Sequence, residues 1–135
     1  MTVMGLGLHG GGTGIALWLM RHGAKVTVTD LKDQHALAPS IAELERATIR
    51  ASHRGDKRLF HRFSYVLGRH REEDFRDADM VIKGPGVPIR NPFIMAAEKA
   101  GVPVETDVSR GALVAVEHTH GQKGKLDFAS RAAVR

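Results

Sequence analysis

The sequence predicts a doubly wound α/β fold, in which helices flank a parallel sheet of about five strands. Short apolar and β-branched runs alternate with segments of helical periodicity along the chain. The first apolar run, residues 2–4, leads directly into a glycine-rich turn over residues 5–12, and a helical pattern follows. Glycine marks later junctions at Gly23, Gly68 and Gly101. Strand–helix–strand units of this kind give parallel strands joined by right-handed crossovers.

The first unit consists of strands at residues 2–4 and 24–30 and a helix predicted over residues 13–22. The helix is strongly apolar, and Gly23 stands where a left-handed cap is expected. The second strand alternates in polarity, is rich in β-branched residues and ends on Asp30.

Two further helices have recognisable start signals. Ser40-Ile41-Ala42-Glu43 matches the S-x-x-E capping box, which predicts a helix starting at Ser40 and ending near Arg50. Asn91 before Pro92 predicts the N-cap of a helix that runs to Ala100. The polar, histidine-rich stretch 51–62 is expected to be a loop. The remaining predicted elements are strands at 63–67, 79–83 and 102–106, a helical turn at 72–76, a short helix at 107–113 and the start of a strand at 114–116.

Composition and charge narrow the classes of protein to which this chain can belong. The 135 residues suit one domain with 42% hydrophobic and 26% charged residues, which is ordinary for a globular protein. The absence of cysteine excludes a disulfide framework and cysteine-ligated zinc. No signal peptide or membrane-spanning run is visible, so a cytoplasmic protein is expected. The net charge of +5 suits an anionic ligand, whereas the dispersed basic residues disfavour nucleic acid.

The glycine-rich turn is the first candidate binding element. Gly5, Gly7 and Gly10 match the spacing G-x-G-x-x-G. Glycines at these positions permit a tight turn and close backbone approach to a ligand, and the helix N-terminus behind them favours a diphosphate. The alternative is a structural turn that binds no ligand.

Other candidate residues follow the second and fourth strands. Asp30 lies 20 residues beyond Gly10, the spacing of an acid that reads a ribose or a base N–H, and the alternative role is a turn cap. Lys32 either faces a phosphate or is a solvated charge. Gly84-Pro85-Gly86 indicates either backbone passing close to a ligand or a rigid connection.

No metal site or catalytic group is predicted from spacing. The eight histidines are scattered, and the one close pair, His118 and His120, has no carboxylate or cysteine at ligand spacing. We therefore interpret the histidines as surface residues. No nucleophile–base arrangement is apparent.

The C-terminal stretch contains a degenerate P-loop remnant at Gly121, Gly124 and Lys125. Thr119 replaces the first glycine of G-x-x-x-x-G-K-[ST], and Leu126 replaces the hydroxyl residue that binds magnesium. ATP binding is therefore not expected at this stretch.

Taken together, four segments of the chain resemble the N-terminal domain of the Mur ligases, in particular the branch that adds D-glutamate. These segments are VMGLGLHGGG, VTVTDLK, FRDADMVIKGPGVP and NPFIMAAEKAGVPVETDVS. The resemblance implies a Rossmann-like domain over residues 1–113. Residues 114–135 would be the remnant of a linker and the start of a central ATPase domain, truncated or altered.

The resemblance also implies a ligand, the UDP part of UDP-N-acetylmuramoyl-L-alanine, and a set of residues around it. Two positions depart from the family pattern, since His9 replaces a common threonine or serine and Gly84 replaces a common serine. By position, Leu8 and His9 would lie against the uracil and diphosphate, beside Gly7 and Gly10. Asp30 would accept the uracil N–H. Leu31 and Lys32 would flank the base and ribose, and Gly86 would close the other side of the site.

The enzyme implied by the resemblance forms an amide bond at the expense of ATP. It converts the substrate carboxylate into an acyl phosphate, which the D-glutamate amine attacks with release of phosphate. The ATP, Mg²⁺ and amino-acid sites of that family lie in its central and C-terminal domains. This chain is therefore expected to bind the nucleotide sugar without catalytic residues or a cofactor of its own.

Two other functions share part of the pattern. The glycine spacing and Asp30 also fit an NAD(P)-binding domain of a dehydrogenase. A ligand-sensing regulatory module without catalysis is the third possibility. Gly84-Pro85-Gly86-Val87 fits the Mur pattern, and nothing after the fourth strand indicates a nicotinamide site.

Overall fold

The computed structural model describes residues 1–8, 11–55 and 63–106. Nine helices and strands alternate within these ranges. The strands are β1 (Thr2–Met4), β2 (Val26–Asp30), β3 (Phe63–Leu67), β4 (Val81–Lys83) and β5 (Val104–Thr106), and the helices are α1 (Gly11–Arg21), α2 (Ala38–His53), α3 (Glu72–Arg76) and α4 (Pro92–Lys99).

The five strands form one parallel sheet in the order β3-β2-β1-β4-β5. Strand β1 lies in the centre, where Val3 pairs with Val28 of β2 on one side and Ile82 of β4 on the other. The chain therefore builds outward from β1 to β3, then returns to the other side of β1 to continue with β4 and β5. The strand order reverses between β1 and β4, and ligands of such sheets bind at this point, beyond the carboxyl ends of the strands.

The two faces of the sheet carry separate hydrophobic clusters. One contains buried side chains of α1 and α2 and includes Val3 and Ile82, whereas the other contains side chains of α3 and α4 and includes Met4 and Val81. Neighbouring residues of β1 and of β4 thus enter different clusters, as the twofold alternation of a strand requires. Both faces are covered by helices, and the predicted doubly wound parallel α/β fold is confirmed.

Most predicted elements are present, with shifted ends in several cases. Strand β3 and helix α3 have the predicted bounds, while α1 begins at Gly11 instead of residue 13. Strands β2, β4 and β5 each begin two residues later than predicted. For β2 and β5 the reason is that Ala24 N–H donates to Leu19 O and Val102 N–H to Ala97 O, so these residues bond to the preceding helix.

The predicted capping box at Ser40 is wrong. Helix α2 begins at Ala38, its N-cap is Leu37, and no side chain caps it. Leu37 is fully buried, so hydrophobic packing moves the start of the helix to an earlier residue. Proline is tolerated at position 39 because the N–H groups of the first helical turn have no partner within the helix, so the missing N–H of Pro39 costs no hydrogen bond. The helix continues to His53, so the loop predicted from residue 51 is wrong at 51–53. Residues 56–62, 107–113 and 114–116 lie outside the described residues.

Two of the predicted turn signals have the expected geometry. Gly23 and Gly101 follow α1 and α4 with φ of 88° and 77°, the left-handed region that glycine adopts without strain. Asn91 caps α4, because its Oδ1 accepts the Phe93 N–H at 2.9 Å.

Candidate functional site

Because α1 begins at Gly11, the glycine turn comprises residues 5–10. Its described residues, 5–8, lie at the carboxyl end of the central strand. Gly5 N–H donates to Thr29 O at 2.8 Å, and Gly84 N–H donates to Met4 O at 2.8 Å. These bonds continue the sheet pairing past β1 and place the turn between the ends of β2 and β4. Gly5 and Gly7 have φ of 93° and 64°, so this part of the turn needs the conformational freedom of glycine.

Asp30 bonds the glycine turn to the end of β2. One carboxylate oxygen, Oδ2, accepts the backbone N–H of Leu6 at 2.9 Å and of Gly7 at 3.3 Å, and Oδ1 accepts the N–H of Lys32 at 2.9 Å. The residue is 9% exposed. Through the bond to Lys32, Asp30 caps the turn that follows β2, which is the alternative role expected for it from the sequence. It also holds the glycine turn, which sequence spacing did not reveal.

Ser40 of α2 bonds the same turn. Its Oγ donates to the Gly7 carbonyl oxygen at 2.6 Å, and the residue is 4% exposed. Ser40 is the third residue of α2 and follows Leu37, which is fully buried in the core that also contains Leu6. The sequence signal at Ser40 was attributed to helix capping, so its contact with the turn was missed.

Gly12 is the point at which α1 packs directly on the turn. A Cβ atom added there would overlap Gly5 O and would lie 2.6 Å from Leu6 O. Close helix packing therefore requires glycine at this position. The sequence spacing assigned the third glycine of the motif to Gly10, which lies outside the described residues, as does His9.

The loop after β4 forms the neighbouring wall. Lys83 is buried, and its Nζ donates to Val87 O at 3.0 Å, which closes the loop over residues 84–87. A Cβ on Gly5 would lie 3.7 Å from Val87 Cγ2, so the loop and the glycine turn are neighbours. Gly86 is exposed, with no atom within 4 Å of a Cβ added there.

Two large apolar side chains are exposed at this edge of the sheet. Leu8, next to Gly7, is 48% exposed, and Leu31, next to Asp30, is 66% exposed. Lys32 is exposed as well. The predicted site residues Gly7, Leu8, Asp30, Leu31 and Lys32 are thus brought together by the Asp30 hydrogen bonds, while Gly86 lies on the loop beyond β4.

His70 is an exception to the interpretation of the histidines as surface residues. It is partly buried, its Nδ1 lies 2.6 Å from Thr29 Oγ1, and its ring meets the rings of Phe75 and Phe93 edge-on at 5.8 and 5.1 Å. Burial lowers the pKa of His70, and the charge of Asp30 opposes this shift. Thr29 and Phe93 are far from His70 in sequence, so no local pattern could have indicated these two contacts.

Within residues 1–8, 11–55 and 63–106, no three histidine or acidic side chains form a group that could hold a metal ion. In the same part of the chain, no helix has the length and hydrophobicity needed to span a bilayer.

The comparisons with known proteins all indicate the same family. The profile described as "Mur ligase MurD-like, N-terminal domain" matches residues 1–106. The UDP-N-acetylmuramoylalanine--D-glutamate ligase of Treponema pallidum (strain Nichols) is 39% identical over 96% of this chain and 23% of the relative. The proteins of the same name from Roseiflexus sp. (strain RS-1) and Geobacter metallireducens are 40% and 37% identical, over 79% and 89% of this chain.

The chain spans a fifth to a quarter of the length of these relatives, with 23%, 20% and 25% of them covered. The matched residues include every described strand and helix and the whole of the glycine turn. The chain belongs to the Mur ligase family and corresponds to its MurD-like N-terminal domain.

Proposed function

We propose that this chain holds the UDP part of UDP-N-acetylmuramoyl-L-alanine, as the N-terminal domain of a D-glutamate-adding ligase of peptidoglycan synthesis. The observation that carries the proposal is the hydrogen bonding of the Asp30 carboxylate to the glycine turn, which lies at the switch point of the sheet. Two exposed leucines, Leu8 and Leu31, stand next to this contact in the chain. The Asp30 hydrogen bonds hold Leu6 and Gly7 of this turn in place, which reduces the ordering cost of binding.

Each group at the edge has a role that suits uridine diphosphate. A carboxylate offers about four acceptor positions, so Asp30 retains capacity for the uracil N–H beyond its three backbone bonds. Leu8 and Leu31 provide apolar contact for the base, and Lys32 offers a cation to the ribose and diphosphate side. Gly7, Gly10 and His9 would border the diphosphate, and Gly86 would close the opposite wall.

The chemical steps would belong to the parts of the longer ligases that this chain does not span. ATP and Mg²⁺ would activate the substrate carboxylate there for attack by D-glutamate. The remnant at Gly121, Gly124 and Lys125 does not fit that role, because Leu126 has no hydroxyl for a magnesium ion. We expect this chain to act in the cytoplasm and to bind the nucleotide sugar without turning it over.

Calorimetric titration with UDP, UDP-N-acetylmuramoyl-L-alanine and NAD tests the proposal. We expect binding of both uridine nucleotides and no response to NAD. Leu31→Ala should weaken UDP binding by about tenfold, because a leucine buried by the base contributes roughly 1.5 kcal/mol or more. Ile49→Ala removes another exposed aliphatic side chain, in the C-terminal half of α2, and should leave the affinity unchanged.

Other outcomes would favour the rival functions. Tight NAD binding without a response to UDP would indicate a dehydrogenase-type domain. Phosphate release from ATP in the presence of D-glutamate and UDP-N-acetylmuramoyl-L-alanine, with this chain alone, would contradict the expected lack of catalysis.

A further inference from the structure

The hydroxyl group of Ser40, in the second helix of the fold, donates a hydrogen bond to the glycine turn. We propose that Ser40 is a positioning residue that fixes the orientation of the Gly7–Leu8 peptide and thereby holds the turn in its ligand-accepting form. The inference rests on the proposed function for its ligand and adds a residue of α2 to the residues that shape the site.

Both backbone groups of Gly7 are bonded to side chains from different elements. Its N–H donates to Asp30 at the end of β2, and its carbonyl oxygen accepts from Ser40 in the first turn of α2. The φ of 64° places Gly7 in the left-handed region, which is one of several conformations open to a glycine. The two bonds together select this conformation in a turn that would otherwise have considerable freedom.

The Ser40 bond also determines where the next N–H group points. The Gly7 carbonyl belongs to the peptide unit that carries the Leu8 N–H, and the two groups point in opposite directions in a trans peptide. Since the carbonyl is directed at Ser40, the Leu8 N–H is directed away from α2. Loss of the hydroxyl would free this peptide to rotate, and the exposed Leu8 side chain would move with it.

The Ser40 contact differs from the usual behaviour of serine in a helix. A helical serine commonly bonds a carbonyl about one turn earlier, as Thr48 does in the same helix toward Glu45 O at 2.8 Å. Ser40 instead reaches a residue 33 positions earlier in the chain. Burial of Leu37, Ile41 and Leu44 in the core fixes the rotation of α2 about its axis and so keeps Ser40 directed at the turn.

The test compares Ser40→Ala with Thr48→Val, which removes another buried hydroxyl from α2 without touching the turn. Amide hydrogen exchange is followed by NMR in the 135-residue chain without ligand, and the UDP affinity of each folded variant is then measured by calorimetry. In Ser40→Ala we expect exchange at the Leu6 and Gly7 amides to accelerate by about threefold to tenfold relative to Thr48→Val, with a similar loss of UDP affinity.

Each outcome decides one part of the inference. Equal exchange at Leu6 and Gly7 in the two variants would overturn the role of Ser40 in ordering the turn. Faster exchange with unchanged UDP affinity would overturn its role in binding. If the unaltered chain does not bind UDP, the proposed function and the ligand part of this inference both fail, and the exchange rates still decide whether Ser40 holds the turn.

Discussion

Gly12, at the start of α1, lies against the carbonyl oxygen of Gly5, the residue that follows β1. A Cβ on Gly12 would overlap that oxygen and would also lie 2.7 Å from Leu6 Cα. Backbone atoms cannot rotate away as the end of a flexible side chain can. The helix therefore reaches this position against the turn only because Gly12 has no side chain.

Gly12→Ala should lower the free energy of unfolding by about 1–3 kcal/mol, the usual cost of forcing additional atoms into a closely packed site. Urea unfolding followed by circular dichroism measures the change. Gly14→Ala is the matched control, because Gly14 lies in the same helix with no atom within 4 Å of an added Cβ. That control should be neutral or stabilising by up to about 1 kcal/mol. Equal effects of the two substitutions would contradict the packing argument.

Asp30→Asn should destabilise the chain by about 1.5–3 kcal/mol, because a neutral amide replaces a carboxylate that accepts three backbone N–H groups. Binding of UDP should be lost with it. Asp33→Asn provides the control, since Asp33 is exposed and accepts one N–H, from Ala36 at 2.8 Å. Urea unfolding and calorimetry should show a small effect for Asp33→Asn. Similar losses for both variants would remove the special role of Asp30.

Much of the fold follows from patterns that each segment carries by itself. The largely aromatic and aliphatic run of β3 and the acidic first turn of α3 are local features, and both elements have their predicted bounds. The starts of β2 and β5 depend on bonds from Ala24 and Val102 back to the preceding helices. Since such bonds exist only in the assembled fold, periodicity could not indicate where these strands begin.

The candidate site was predictable in its position and less so in its construction. Gly5 and Gly7 of the glycine spacing lie beside the acid at the end of the second strand, at one edge of the sheet. Gly12 and Gly14 are both glycines of the first helical turn in sequence, and only the packing of the fold shows that a side chain is excluded at Gly12 and not at Gly14. Ser40 fits a capping box in sequence, but the burial of Leu37 starts the helix earlier and frees the hydroxyl for Gly7.

Asn91→Ala should destabilise the chain by about 1 kcal/mol, because the Phe93 N–H at the start of α4 would lose its side-chain acceptor. Asn91→Asp keeps an acceptor oxygen at the same position and should retain most of the stability. Thermal unfolding of the three proteins at one pH measures the difference. An aspartate variant as unstable as the alanine variant would indicate that Asn91 does not act through this bond.

His70 should make the stability depend on pH below neutrality. Burial beside Phe75 and Phe93 lowers its pKa in the folded chain, despite the opposing charge of Asp30. The unfolded chain, with a histidine pKa of about 6.5, therefore takes up the proton first as the pH falls. The contribution of His70 is complete above about pH 7, decreases as the pH falls through 6.5, and levels off below the lowered pKa.

Urea unfolding of the unaltered chain and of His70→Gln between pH 5 and pH 8 (roughly the range in which histidine titrates) isolates this contribution. The free energy of unfolding should fall more steeply toward low pH in the unaltered chain than in the variant, because the variant has no group to protonate at this position. His35→Gln, at an exposed position, controls for the loss of a histidine elsewhere. Parallel curves for the unaltered chain and His70→Gln would show that the imidazole does not couple folding to pH, and that its contacts with Thr29 and the two phenylalanines stabilise both protonation states equally.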